Sequence, residues 1–255
     1  MNINDLPLSV LIFFLSVVFI SSIIKGTTAF GFNLIATPLM LLFFEPQQAV
    51  AILLPLTTIV NIGVIFWNRE RPVFNKVLIL GLSGLVGIPV GIFVLLNSDP
   101  DILKILIGII ILFFASIIVF LPKNIKIKRG IFKDIIVGFA SGVLVTSTSL
   151  SGPLVILYLN AMKIPKLEFR RIVACFLLIL HVFGLIALLS SGTVTQNTMI
   201  LDLKLLPALI AGFLISMKLV NVINERFFRL LALGIVILAA ISAIVPSVIN
   251  FVAKN

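Results

Sequence analysis

The sequence predicts an all-α polytopic membrane protein made of two inverted repeats, each a broken-helix hairpin followed by three transmembrane helices. Three observations predict this. The 255-residue chain is 61% hydrophobic and 11% charged, with a mean hydropathy of +1.31. Apolar runs of about 18 or more residues recur along it, each long enough to span a bilayer. The order of segments also repeats after about 125 residues, as in many transporters. The halves fall at residues 1–125 and 126–255, and no stretch is polar enough for long enough to form a soluble domain.

In chain order, Leu6 to Ile24 is apolar and is interrupted at Lys25-Gly26-Thr27-Thr28. Gly31 and Asn33 disturb the backbone until Thr37-Pro38, where a short helix to about Phe44 is expected. Spans are expected over Ala49–Trp67, Val77–Leu96 and Ile102–Leu121. The second of these is rich in glycine, which lets neighbouring helices approach closely. The second half restarts at Asp134 and runs to Val145. There Thr146, Ser147, Thr148, Ser149 and Ser151 place five hydroxyls in six residues, followed by Gly152-Pro153. A short helix to about Met162 and a polar turn, 163–171, come next. Spans are then expected over Ile172–Leu189, Leu203–Val220 and Leu230–Ile249. Gly26 lies twelve residues before Pro38 and Gly142 eleven before Pro153, which sets the register of the repeat.

Charge decides the orientation of the halves. If each broken segment is a hairpin that leaves on the side it entered, loops 68–76, 122–133, 163–171 and 218–229 share a face and hold 15 Lys and Arg residues against 3 on the other. If the second broken segment crosses once instead, the split is 10 against 8. The positive-inside rule selects the hairpins, puts those loops in the cytoplasm and both termini outside, and makes the repeats inverted. The same rule accounts for the formal net charge of +10, so no nucleic-acid partner is expected. The N-terminus lacks the basic flank and cleavage site of a signal peptide, so the first helix is expected to be permanent. The single cysteine, Cys175, forms no internal disulfide, and no Cys/His spacing calls for a metal or cofactor.

A broken helix at membrane depth is costly unless it lines a cavity or binds something. Proline suits the first turn of a helix, so Pro38 and Pro153 are expected to mark helix starts, whose amides and dipole favour an anion. The candidate binding residues are Lys25, Gly26, Thr27, Thr28, Asn33, Thr37 and Pro38 in the first break, and Thr146, Ser147, Ser149, Ser151, Gly152 and Pro153 in the second. Lys25 has two readings. Either it adds a positive charge to the site, or it ends its helix and snorkels to the interface. The hydroxyls also have two readings, as ligand donors or as groups bonded to their own backbone in close helix packing. His181 and Asn61 occupy near-equivalent places in the repeat and are expected to be buried polar groups, with coupling or gating as their functional reading. Glu45 and Glu168 sit at turns, and no Asp or Glu lies deep in an expected span.

These stretches resemble the sulfite exporter TauE/SafE family of membrane transporters. The resemblance rests on Gly26-Thr-Thr-Ala-Phe-Gly31-Phe-Asn-Leu-Ile-Ala-Thr37-Pro38-Leu39 in the first half. In the second it rests on Gly138-Phe-Ala-Ser-Gly142 through Ser151-Gly152-Pro153. It covers nearly the whole chain, including the duplication. Two positions depart from the family pattern: Gly31-Phe32-Asn33 replaces three successive glycines, and Lys25 replaces a glutamine. The resemblance implies export or exchange of a small anion, such as sulfite, a sulfonate or another small organic or sulfur oxyanion, across the cytoplasmic (inner) membrane. The expected partners are that anion and the lipid bilayer, and the sequence is compatible with a homo-oligomer. A passive anion channel is the alternative. An intramembrane serine protease with Ser151 and His181 as a dyad is disfavoured by the missing Gly-x-Ser frame and the unexplained duplication, so no enzymatic activity is expected.

Overall fold

The computed structural model describes residues 6–28, 31–68, 74–120, 130–150, 152–162 and 164–219, with isolated helical positions at 234, 237, 241, 245 and 247. Most of loops 68–76, 122–133 and 218–229, and most of the last expected span, lie outside these residues. Among the described residues there are nine helices and no strand: α1 (Leu8–Thr28), α2 (Phe32–Met40), α3 (Pro46–Asn68), α4 (Phe74–Asn97), α5 (Pro100–Phe120), α6 (Ile131–Thr148), α7 (Gly152–Ala161), α8 (Lys166–Ser190) and α9 (Gln196–Leu219). Seven are long and apolar enough to cross a membrane, while α2 and α7 are short. The chain is a multi-pass membrane protein.

Local chemistry sets the helix ends. Asp99 caps α5 by accepting the Asp101 amide at 2.8 Å. Thr195 and Thr198 exchange side-chain to amide hydrogen bonds in a reciprocal cap. That cap starts α9 at Gln196, seven residues before the expected span, and so draws Asp202 into the helix, where it is buried. The expected placement of Asp202 in the preceding loop is therefore corrected. The turn expected over 163–171 is likewise mostly helix, because Pro165 ends the turn and α8 begins at Lys166 with Glu168 in its first turn, where the dipole favours an acid.

Two hairpins are visible from contacts far along the chain. The Phe43 and Phe44 rings lie 5.4 and 5.2 Å from the Phe14 ring, so the chain that leaves α1 at Thr28 returns beside the early part of that helix. Tyr158 donates a 2.5 Å hydrogen bond to Asp134, bringing α7 back beside the first turns of α6. Both short arms therefore fold back on the helix before them.

The halves are interlocked. α4 packs most extensively against α6, and α1 against α9. Small residues permit this. A Cβ at Gly142 would collide with the Gly84 carbonyl, one at Gly87 with the Phe139 carbonyl, and one at Gly212 with the Phe19 carbonyl. Along each seam residue numbers rise together: Leu80, Gly87 and Gly91 meet Gly138, Phe139 and Thr146, while Phe19 and Gly26 meet Gly212 and Ser216. Both seams are parallel pairs. The core divides in the same way. One cluster joins α1, α2, α3 and α5 to Leu201, Leu205 and Leu209 of α9 and to Leu150. The other joins α6, α7 and α8 to Leu80 and Ile88 of α4, with Val50 and Leu54 of α3. Each half thus lends its fourth helix to the other.

Candidate functional site

The first break turns on Gly31, which takes a left-handed conformation at φ 97° before α2. α1 does not stop at Lys25, as expected, but continues to Thr28, so Lys25 lies in its last turn. α2 starts at Phe32, not at Pro38. The left-handed glycine frees the chain to begin a new helix there, and Pro38 falls inside it, giving up one backbone hydrogen bond near its end. The helix then stops at Met40 rather than near Phe44. The second break turns on Ser149 at φ 63°. A non-glycine residue there costs about 1–2 kcal/mol. Here Pro153 behaves as expected, one residue inside the start of α7 at Gly152.

α6 runs on through most of the hydroxyl cluster, ending at Thr148 rather than near Val145. The reason lies in the hydroxyls themselves. Thr146 donates to the Ile88 and Gly142 carbonyls at 3.0 and 3.2 Å, Ser147 to Val143 at 2.7 Å and Thr148 to Leu144 at 2.8 Å. Bonding back one turn satisfies them without breaking the helix. Thr27 is spent in the same way on the Ile23 and Ile24 carbonyls. Thr37 Oγ1 and Ser149 Oγ, in contrast, are buried with no hydrogen-bond partner. The Thr28 side chain and the whole of Ser151 lie outside the described residues.

The breaks meet. Asn33, one residue into α2, donates from Nδ2 to the Ser149 carbonyl at 2.6 Å. This joins the start of α2 to the end of α6 across 116 positions of sequence. Leu150, just past the turn, is buried in the core cluster of the first half.

Lys25 is buried, 3% exposed, and forms no ion pair among the described residues. This removes the reading in which its ammonium snorkels to the surface. It lies within electrostatic reach of His181. His181 is buried with Nδ1 on the Leu177 carbonyl at 2.6 Å, which makes Nδ1 the protonated nitrogen, while Nε2 has no partner. Thr58, midway along α3, approaches the His181 carbonyl at 3.5 Å, so this crossing sits at half the height of that helix. Asn61, one turn on, is buried with Nδ2 unpartnered. No Ser–His hydrogen bond joins Ser149 or any other described serine to His181.

Some buried polar groups were not singled out by sequence reasoning. Ser21 and Ser22 on α1 and Ser141 on α6 have unpartnered hydroxyls, and Asp202 has an unpartnered Oδ1. Ser22 faces Gly212 across the α1–α9 seam, a juxtaposition that spacing in one segment does not reveal. Among the described residues no group of three or more His, Cys, Asp or Glu side chains could hold a metal.

No curated protein and no solved structure gives a significant match to the chain. A sequence model described as sulfite exporter TauE/SafE matches residues 13–243.

Proposed function

The chain belongs to the TauE/SafE sulfite exporter family, and from that premise we propose a secondary transporter that carries a small anion across the cytoplasmic membrane. The anion is sulfite, a sulfonate or a similar small oxyanion. It binds where the two broken hairpins meet, near mid-membrane, and the basic loops 68–76, 122–133, 163–171 and 218–229 face the cytoplasm.

The observation that carries this reading is Lys25: a buried lysine without an ion-pair partner among the described residues, in the last turn of α1 just ahead of the first of two breaks that meet. An unpaired charge inside a membrane costs about 2.5–3.5 kcal/mol on insertion scales, and such residues mark substrate pathways. The starts of α2 and α7 add first-turn amides that lack an intrahelical acceptor, at Asn33 and Leu34 in one and Gly152 in the other, where helix dipoles favour negative charge. Pro153 has no amide to give. Ser151 and Thr28 complete the proposed lining, with Gly26, Thr27, Thr146 and Ser147 behind them.

Inverted repeats fit the packing. A long, short, long, long order occurs twice, at α1–α4 and α6–α9. Fold-back of α2 makes α3 run with α1, so α4 opposes α1. α6 is parallel to α4 and hence antiparallel to α1. The reciprocal pairing of α1 with α9 and α4 with α6 is what a two-fold relation between halves produces.

The test is flux into proteoliposomes with sulfite, thiosulfate, sulfate, sulfonates and carboxylates in turn. A carrier saturates and is accelerated by substrate on the opposite side. A non-saturating current without trans-stimulation would make it a channel. Lys25→Met is expected to raise KM at least about tenfold, roughly 1.4 kcal/mol, without lowering the melting temperature. Unchanged kinetics would remove Lys25 from the site.

A further inference from the structure

The structure assigns a second ligand to the junction: an alkali-metal cation held by Asn33, Thr37 and Ser149, beside the end of α6. This inference rests on the transport reading above and names the ion that would couple to the anion.

Three neutral oxygens meet the requirement. Asn33 Oδ1, Thr37 Oγ1 and Ser149 Oγ have no hydrogen-bond partner, and their residues are 8%, 0% and 1% exposed. A buried polar atom left without a partner costs about 1–3 kcal/mol, and three of them at one junction call for a ligand. Their arrangement is constrained. The 2.6 Å bond to the Ser149 carbonyl fixes which end of the Asn33 amide is nitrogen, since reversing it would set two acceptors against each other. Oδ1 is therefore left over as a pure acceptor. Thr37 lies four residues on, one turn along the same face of α2. Ser149 is bound to that face through its carbonyl.

The sign of the ligand follows from the donors. An amide oxygen can only accept, so it repels an anion and suits a cation or a donor. The last carbonyls of a helix lack intrahelical donors and carry partial negative charge. At the end of α6 the Ser149 and Leu150 amides both turn back to the Leu144 carbonyl. That winding stops the helix and holds Ser149 in its left-handed conformation. A discontinuous helix whose terminus meets neutral side-chain oxygens is a setting in which transporters bind Na⁺. Divalent ions favour carboxylates, and none belongs to this set. Lys25 does not hydrogen-bond these oxygens, so its ammonium does not fill the place.

The experiment measures the melting temperature of the purified full chain in NaCl, KCl and choline chloride at equal ionic strength, without added anion substrate. Wild type is expected to melt a few degrees higher in NaCl or KCl than in choline chloride, with a saturable dependence. Thr37→Val removes an unpartnered hydroxyl while keeping shape. It is expected to raise stability slightly in choline chloride and to weaken the cation response at least tenfold. Ser149→Ala is expected to weaken it in the same direction. Equal melting in all three salts, or a full response in Thr37→Val, overturns the site and leaves water as the partner of these oxygens. Because no anion is present, that failure is separate from failure of the transport reading, which would show as absent flux of every anion under all salts.

Discussion

The two breaks reach the same hairpin shape by different chemistry. The first turns on a glycine and carries a buried lysine. The second turns on a serine held left-handed, and most of its hydroxyls are already bonded to carbonyls. Repetition of shape therefore does not mean repetition of charge. The first jaw brings its own lysine and two unpartnered oxygens, on Asn33 and Thr37, while the second presents a helix end and one such oxygen, on Ser149. A site built this way is polar across its width, which suits a cargo of one sign accompanied by an ion of the other.

Substitutions that separate the two sides sharpen this comparison. The largest effect is expected at the helix seams. Gly142→Val sets a side chain against the backbone of α4 and should cost about 3 kcal/mol or more. Gly26→Ala sets its methyl against the Ser216 hydroxyl, which can rotate, and the Ser216 Cβ, which yields only if α9 shifts slightly; with no backbone carbonyl in the way it should cost somewhat less. Melting curves in detergent compare them, and equal losses would show the seams to be equally rigid. Next comes the closure of the second hairpin. Tyr158→Phe leaves the buried Asp134 without this donor and should cost about 1–3 kcal/mol. The first hairpin is closed by aromatic rings, with no such polar tie between its arms among the described residues. The smallest effects distinguish the turns. In sodium- and potassium-free buffer, Ser149→Gly should stabilise by about 1 kcal/mol and Gly31→Ala should destabilise by about 1–2 kcal/mol. Melting shifts of the same sign would end the contrast between a relaxed turn and a strained one.

Much of the architecture was legible because the bilayer forces it. Apolar runs the length of a membrane can only be helices, so the seven long helices among the described residues were found, with edges shifted by up to seven residues. The glycine stripe of α4 announced a close neighbour, and α6 is that neighbour. What misled was local. Pro38 read as a helix start, but the nearby left-handed Gly31 had already begun the helix. The hydroxyl cluster read as a break, yet serine and threonine can bond one turn back and stay helical, so among its described members only Ser149 leaves the helix. Asp202 read as a loop residue because its cap, Thr195 with Thr198, is a pairing of hydroxyls that hydropathy does not register. The site was legible as two stretches forming one site, but not in the contacts that join them. Asn33 and Ser149 share no pattern in sequence, and only the folded chain brings them to 2.6 Å.

The exchange of fourth helices has a consequence for biosynthesis. The groove of α1 that receives α9 stays uncovered until α9 emerges, 191 residues after the end of α1. At about 5–20 residues per second that wait is roughly 10–40 s. Through it Phe19, Ser22 and Gly26 would face lipid or an insertion factor rather than their final neighbour. Nascent chains halted before α9 should therefore be the ones retained by the insertion machinery, and a separately expressed 1–125 fragment should mature only when its other half is made in the same cell.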